Sequence, residues 1–257
     1  MGKVFVISNR KGGCGKSKTA VSLAVGLARQ GKKVLVLDMD NQHSLTVSMG
    51  IKEPDKLPVT LKNIISDIID EKEIDPTAGI VHHEEGVDLL PANNSLTGIE
   101  LVLAPLLGRE TILRQYIEVV EPLYDYIVCD TGPTLDMLTI NALAAADSVI
   151  IPVAPKFLDA KGLELLLKSI AKIRKQINPH LSICGILLTM VDRRTNFTKD
   201  IISMIEQAYA ARSELGLTAE IVGSIIEKIC VFDNKSIRVK FTFIDREIPS
   251  REVADYE

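Results

Sequence analysis

Ser8-Asn9-Arg10-Lys11-Gly12-Gly13-Cys14-Gly15-Lys16-Ser17-Lys18-Thr19 is the stretch that decides how this chain is read. It follows a short apolar run, Val4-Phe5-Val6-Ile7, of the kind that makes a buried strand. It precedes residues 20–28, whose apolar side chains recur at helical spacing. A strand, a glycine-rich turn and a helix N-terminus together form a phosphate cradle. Gly12, Gly13 and Gly15 let the backbone curl so that successive N–H groups, through Cys14 to Lys18, point inward, and the helix dipole adds partial positive charge where an anion sits. Lys16 is placed to reach the terminal phosphates of a nucleotide, and the Ser17 hydroxyl to ligate Mg2+.

Two further stretches belong with the cradle. Lys33-Val34-Leu35-Val36-Leu37 reads as a second buried strand, preceded by Gly31 as a helix C-cap and ending at Asp38-Met39-Asp40-Asn41-Gln42. In a parallel sheet, functional residues gather at the carboxyl ends of strands, so both aspartates belong beside the cradle. Tyr124 to Asp130 is a third apolar strand closing on an aspartate. That arrangement suits a carboxylate holding the shell of a nucleotide-bound Mg2+, which makes Asp130, with Ser17 and Asp38, a candidate metal residue.

These motifs resemble the ParA/MinD family of dimeric ATPases, and within it the Soj-like ParA partition proteins. The ordinary P-loop, G-x-x-x-x-G-K-S/T, needs glycine where this chain has Arg10; what stands here is K-G-G-x-G-K-S, the deviant form with its extra lysine, Lys11. The resemblance extends to D-x-D-P-Q, with Asn41 in place of the proline, and to Y-D-x-I-I-x-D-x-P-P, with Gly132 in place of the first proline. It also covers L-T-M-x-D-x-R-T-N at residues 188–196. It implies a catalytic set of Lys11, Lys16 and Asp40, with Asp40 positioning the attacking water and Lys11 crossing to the ATP of a partner subunit. The nucleotide would be held by Gly12, Gly13, Cys14, Gly15, Lys16, Ser17, Lys18 and Asp130. Pro249 would sit at the adenine edge, because residues 248–253 faintly match the family's I-P-x-x-V-R. It further implies ATP and Mg2+ as cofactors, a homodimer sandwiching ATP, a ParB-like stimulating partner and sequence-independent DNA binding.

Composition sets the limits. The 257 residues, 46% hydrophobic and 25% charged, suit one large α/β domain. A net charge of −4 gives no global bias toward nucleic acid, so any DNA contact needs a local patch. One is legible on a helix over roughly residues 159–178. At ~100° per residue, Lys161, Lys168, Lys172 and Lys175 share one face opposite Leu163, Leu166, Leu167, Ile170, Ile173 and Ile177. Lys168 and Lys172, with Arg193 and Arg194 in the following loop, are the candidate DNA-binding residues. The cysteines are scattered without C-x-x-C spacing, and His82-His83-Glu84-Glu85 reads as a solvated turn.

Elsewhere the sequence predicts helices over residues 61–69, 96–107, 110–120, 138–146 and 201–211, with strands over 87–91, 148–153, 182–190 and 239–244. The alternation implies a doubly wound, mostly parallel sheet flanked by helices, as a single P-loop ATPase domain whose residues 212–257 diverge from the family. No apolar run approaches ~18 residues, and Met1-Gly2-Lys3 leads directly into the first strand, so a cytoplasmic, nucleoid-associated protein is expected, with no membrane partner. Two alternatives are weighed. A MinD-like membrane-associated positioning ATPase would need a basic amphipathic C-terminal helix, where residues 239–257 are instead rich in acids. A P-loop metabolic ligase shares the cradle but fits Lys11 and the R-T-N stretch poorly.

Overall fold

The computed structural model describes residues 2–154, 160–191, 228–231 and 237–240. Seven strands form one sheet in the order β3-β4-β2-β5-β1-β6-β7. They are β1 (Lys3–Ile7), β2 (Val34–Met39), β3 (Val81–His82), β4 (Asp88–Leu90), β5 (Tyr126–Thr131), β6 (Ser148–Val153) and β7 (Ser182–Leu188). Every neighbouring pair is parallel except β3 with β4. The central strands are apolar on both faces because both faces are covered. Val4 and Val6 of β1, with Leu35, Leu37, Ile127 and Cys129, turn to a core under α3 (Leu61–Ile69), α5 (Ile112–Val120), α6 (Met137–Ala145) and α7 (Ala160–Gln176). Phe5 and Ile7, with Val34, Val36 and Val128, turn to the other face, where they meet α1 (Lys16–Ala28) and α2 (Ser44–Ser48). One-residue alternation along each strand thus feeds two cores.

Local signals fix the helix ends. Gly31 adopts φ +77°, a left-handed value that glycine takes without steric cost, just past α1. Asp136 caps α6 by accepting from the Thr139 backbone N–H at 2.8 Å. At the far end of α6, Asn178 donates to the carbonyls of Leu143 and Ala146, satisfying acceptors that a buried helix end would otherwise leave open.

Several expectations need correction. The helix predicted over residues 96–107 is a 3-10 turn, Asn94–Gly98, leading into a five-residue helix α4 (Ile99–Leu103). Pro105 restricts the residue before it and lacks the N–H needed to continue. The second strand does not end before Asp38 but runs through Met39, so Asp38 lies inside it. The edge strand β3 falls where the sequence suggested only a turn, and His82 there bonds Asp88 Oδ1 at 2.7 Å. The strand expected over residues 239–244 is described as β9 (Ile237–Lys240), antiparallel to β8 (Lys228–Val231) in a ribbon of its own. The helix expected over residues 201–211 lies outside the described residues.

Candidate nucleotide-binding site

The cradle is braced from three sides. Asn9, just past β1, donates through Nδ2 to the Pro152 carbonyl at 2.6 Å and accepts the Lys11 backbone N–H at 3.1 Å, tying the loop's start to the end of β6. Gly13 and Gly15 take φ +70° and +87°, so the loop's curl depends on these two glycines. Past β7, the Thr189 hydroxyl donates to the Cys14 carbonyl at 2.8 Å. The Thr19 hydroxyl donates to the Gly15 carbonyl at 2.7 Å, fixing the first turn of α1.

The two loop lysines differ in environment. Lys16 is buried, and its ammonium folds back to the Lys11 carbonyl at 3.1 Å, an acceptor also taken by the Cys14 thiol. Lys11 is exposed, and its side chain makes no hydrogen bond or ion pair among the described residues. Lys16 is therefore held inward over the loop and Lys11 is available to the outside.

Beneath the loop lie three carboxylates. Asp130 pairs in register with Ile7 of β1 and with Asp38 of β2, which puts it next to the strand that feeds the cradle. Both of its oxygens are buried without a hydrogen-bond partner. Burial pushes its pKa up to about 8; the Ser17 side chain facing it pulls the other way, and the Asp38 charge adds to the rise. Asp38 is equally buried but well partnered. It accepts the Asp40 N–H on Oδ1 at 3.2 Å, and on Oδ2 the Thr46 N–H at 2.8 Å and the Thr46 hydroxyl at 2.6 Å. These donors offset part of its desolvation, leaving its pKa at about 6.

Asp40 sits at the mouth of the turn after β2, with Oδ1 accepting the Gln42 N–H at 3.0 Å. The His43 N–H closes that turn onto the Asp40 carbonyl at 2.8 Å. Asn41 occupies the turn's second position, where proline is favoured but not required, so its replacement leaves the turn intact. The loop after β5 approaches closely: a Cβ at Gly132 would lie 3.3 Å from Asp40 Oδ1. Room for the carboxylate is the visible reason for glycine there.

An orphaned carboxylate facing a serine hydroxyl under a phosphate cradle fits a nucleotide-bound Mg2+. Such an ion is commonly held by one or two carboxylates plus phosphate oxygens rather than by an all-protein cage. Among the described residues there is no group of three or more side chains that could hold a metal alone. Asp38, expected among the metal residues, spends its oxygens on protein donors, whereas both Asp130 oxygens are without a hydrogen-bond partner. Thr46, Asn9 and Thr189 were missed by sequence reasoning; their contacts are long-range in the chain and leave no periodic signal.

The basic helix is as drawn from the sequence in its described part. Lys168, Lys172 and Lys175 are exposed, while Leu163, Leu166, Leu167, Ile170 and Ile173 are buried. Lys168 pairs with Glu164 at 2.9 Å, an exposed pair of little energetic weight. The Lys161 side chain, Arg193, Arg194 and Pro249 lie outside the described residues.

A family model described as an AAA domain matches residues 2–183. The chain is 39% identical to Soj, a sporulation initiation inhibitor protein of Bacillus subtilis, over 209 residues covering 81% of each protein. It is 30% identical to the chromosome partitioning protein ParA of Caulobacter vibrioides over 97% of this chain and 95% of that one. The chain belongs to the ParA/MinD family of P-loop ATPases.

Among solved structures, this ParA-family chain is similar to a cobyrinic acid a,c-diamide synthase from Mycobacterium smegmatis with bound ADP and magnesium. The TM-score there is 0.76 at 35% identity, covering 81% of this chain and 83% of that one. A plasmid partition protein from Borrelia burgdorferi matches with a TM-score of 0.65 at 28% identity, over 80% and 85% of the two chains. No helix among the described residues is long and apolar enough to cross a membrane.

Proposed function

We propose that this chain is an ATP-dependent dimeric switch of the ParA type, which hydrolyses ATP slowly as the Mg2+ complex and binds DNA without sequence preference in its ATP-bound state. The observation that carries this reading is the division between the two loop lysines. Lys16 is buried and turned onto its own loop, whereas Lys11 is exposed and unpartnered among the described residues, as suits a cation supplied to a neighbouring subunit's nucleotide. The relatives' roles in chromosome and plasmid partition support the biological setting, a cytoplasmic, nucleoid-associated protein acting with a ParB-like stimulating partner.

The chemistry follows from the residues. The N–H groups of residues 12–18 and the Lys16 ammonium bind the phosphates, and Asp130 and Ser17 would hold Mg2+, which would supply neutralisation of charge developing on the phosphates. Asp40 orients a water so that its oxygen bonds to the γ-phosphorus while the bond to the bridging oxygen breaks. ADP leaves with the bridging oxygen's electrons, and the water's proton passes to the phosphate product. Pro249 is assigned to the adenine edge, and Lys168, Lys172, Arg193 and Arg194 to DNA.

The test is retention on unrelated DNA duplexes with ATP, with ADP and without nucleotide, at two salt concentrations. Retention with ATP alone, falling steeply with salt, is expected; equal retention in all three states overturns the reading. A P-loop ligase is the second reading, favoured by the synthase name of the Mycobacterium smegmatis relative. A ligase couples ATP cleavage to an acceptor, so ATP turnover with no acceptor present counts against it.

A further inference from the structure

Thr46 lies outside the phosphate loop, yet it is fully buried and its hydroxyl both donates and accepts beside the carboxylates. Its hydroxyl donates to Asp38 Oδ2 at 2.6 Å and accepts the Ala92 backbone N–H at 3.0 Å, and its own N–H donates to Asp38 Oδ2 at 2.8 Å. One side chain thereby joins the end of β2, the helix α2 and the segment after β4. Asp38 uses its other oxygen to accept the Asp40 N–H. The path from Thr46 through Asp38 to the backbone of Asp40 consists of hydrogen bonds among groups that are all nine-tenths or more buried.

We infer that Thr46 is a positioning residue for ATP hydrolysis, holding Asp38 in the one orientation that anchors Asp40 at the mouth of the site. The inference rests on the proposed role of Asp40 in turnover. A group that donates and accepts at once is needed here, and among residues of this size only a hydroxyl does both. Valine fills the same space but leaves Ala92 N–H unpaired and Asp38 with one donor fewer. The carboxylate then keeps only the residue-46 backbone N–H on Oδ2, so its orientation is less firmly held and the acceptor of the Asp40 N–H loosens. Nothing in this path touches the phosphate loop, so nucleotide binding and catalysis should separate. Removing such supporting partners typically costs about 10- to 100-fold in activity at related sites.

The experiment measures steady-state ATP turnover, MgATP affinity and thermal midpoint for the wild type, Thr46→Val, Thr46→Ser and Asp40→Ala, all below the lowest midpoint. Thr46→Val is expected to lose about 10- to 100-fold in kcat while KM and MgATP affinity stay within roughly threefold. Thr46→Ser, which keeps the hydroxyl, is expected to return kcat to within about threefold of the wild type. Should Thr46→Val fail to give folded protein, Thr46→Ala against Thr46→Ser makes the same comparison. Wild-type kcat in Thr46→Val, or equal losses in the valine and serine variants, overturns the inference. If Asp40→Ala is inactive in the same assay, that failure belongs to Thr46 alone; if Asp40→Ala is fully active, the underlying reading of Asp40 falls with it.

Discussion

A carboxylate that is buried beside a lysine and accepts no hydrogen bond, as Asp130 does, makes the ligand-free site costly and leaves a mark on stability. Its folded pKa of about 8 lies above the ordinary value of 3.8, so the folded state keeps a proton that the unfolded state gives up. Stability from this group is therefore fully present below pH 4 and is lost as pH rises through 8, at no more than about 1.4 kcal/mol per pH unit. Asp38, raised to about 6, adds to the slope only in the lower part of that window. Without Mg2+ and nucleotide, the thermal midpoint of the wild type should fall between pH 6 and 8, and Asp130→Asn should flatten that fall; an unchanged slope in the mutant would contradict the assignment. Lys16→Ala should weaken ATP binding by roughly 2–5 kcal/mol in a calorimetric titration, since it removes a buried cation from the phosphates. Asp40→Ala should leave binding intact and lower turnover by about 10²- to 10⁴-fold. Loss of ATP binding in Asp40→Ala would make the residue structural.

Among the elements, the loop after β5 and the helix α7 carry separate predictions. Because a methyl at Gly132 would press on Asp40 Oδ1, Gly132→Ala should lower turnover by roughly 3- to 10-fold with little change in MgATP affinity. A matching loss of affinity would show that the loop serves the nucleotide instead. Charge reversal at Lys168 and Lys172 should weaken DNA retention and reduce its salt slope by about one unit per contact removed, while dimerisation persists. The elements that repeat with a period were legible in the sequence: the buried strands, α1, α3 and the two-faced α7 all declare themselves through apolar spacing. The cradle was legible because its glycines are bound to one backbone shape, and Gly13 and Gly15 do take positive φ. What escaped is what depends on distant partners. Thr46 meets Ala92 across 46 residues and Thr189 meets Cys14 across 175, and no local pattern marks either. Asp38 looked equivalent to Asp130 because both close apolar strands, and only the donors around each separate their roles. The helix drawn over residues 96–107 overran because apolar residues continue past Leu103 although the backbone does not.

At the scale of the whole molecule, the sheet order places β1 between β5 and β6, so the phosphate loop emerges at the sheet's centre with Asp130 beside it and Asp38 one strand further on. That architecture brings the phosphate loop and its carboxylates together within one chain, yet it leaves Lys11 exposed with no partner among the described residues. A second subunit docking over the nucleotide would give Lys11 its role and would place two copies of the α7 basic face on one duplex, so that the second contact becomes effectively intramolecular. Nucleotide state would then control both dimerisation and DNA residence. The most direct measurement is light scattering of the wild type and Lys11→Ala with a slowly hydrolysed ATP analogue and Mg2+, alongside calorimetric binding of the same analogue. The account predicts a dimer for the wild type and a monomer for Lys11→Ala, with analogue affinity in the mutant within about tenfold of the wild type. A Lys11→Ala protein that dimerises as the wild type does, or a wild type that stays monomeric with the analogue bound, would contradict it.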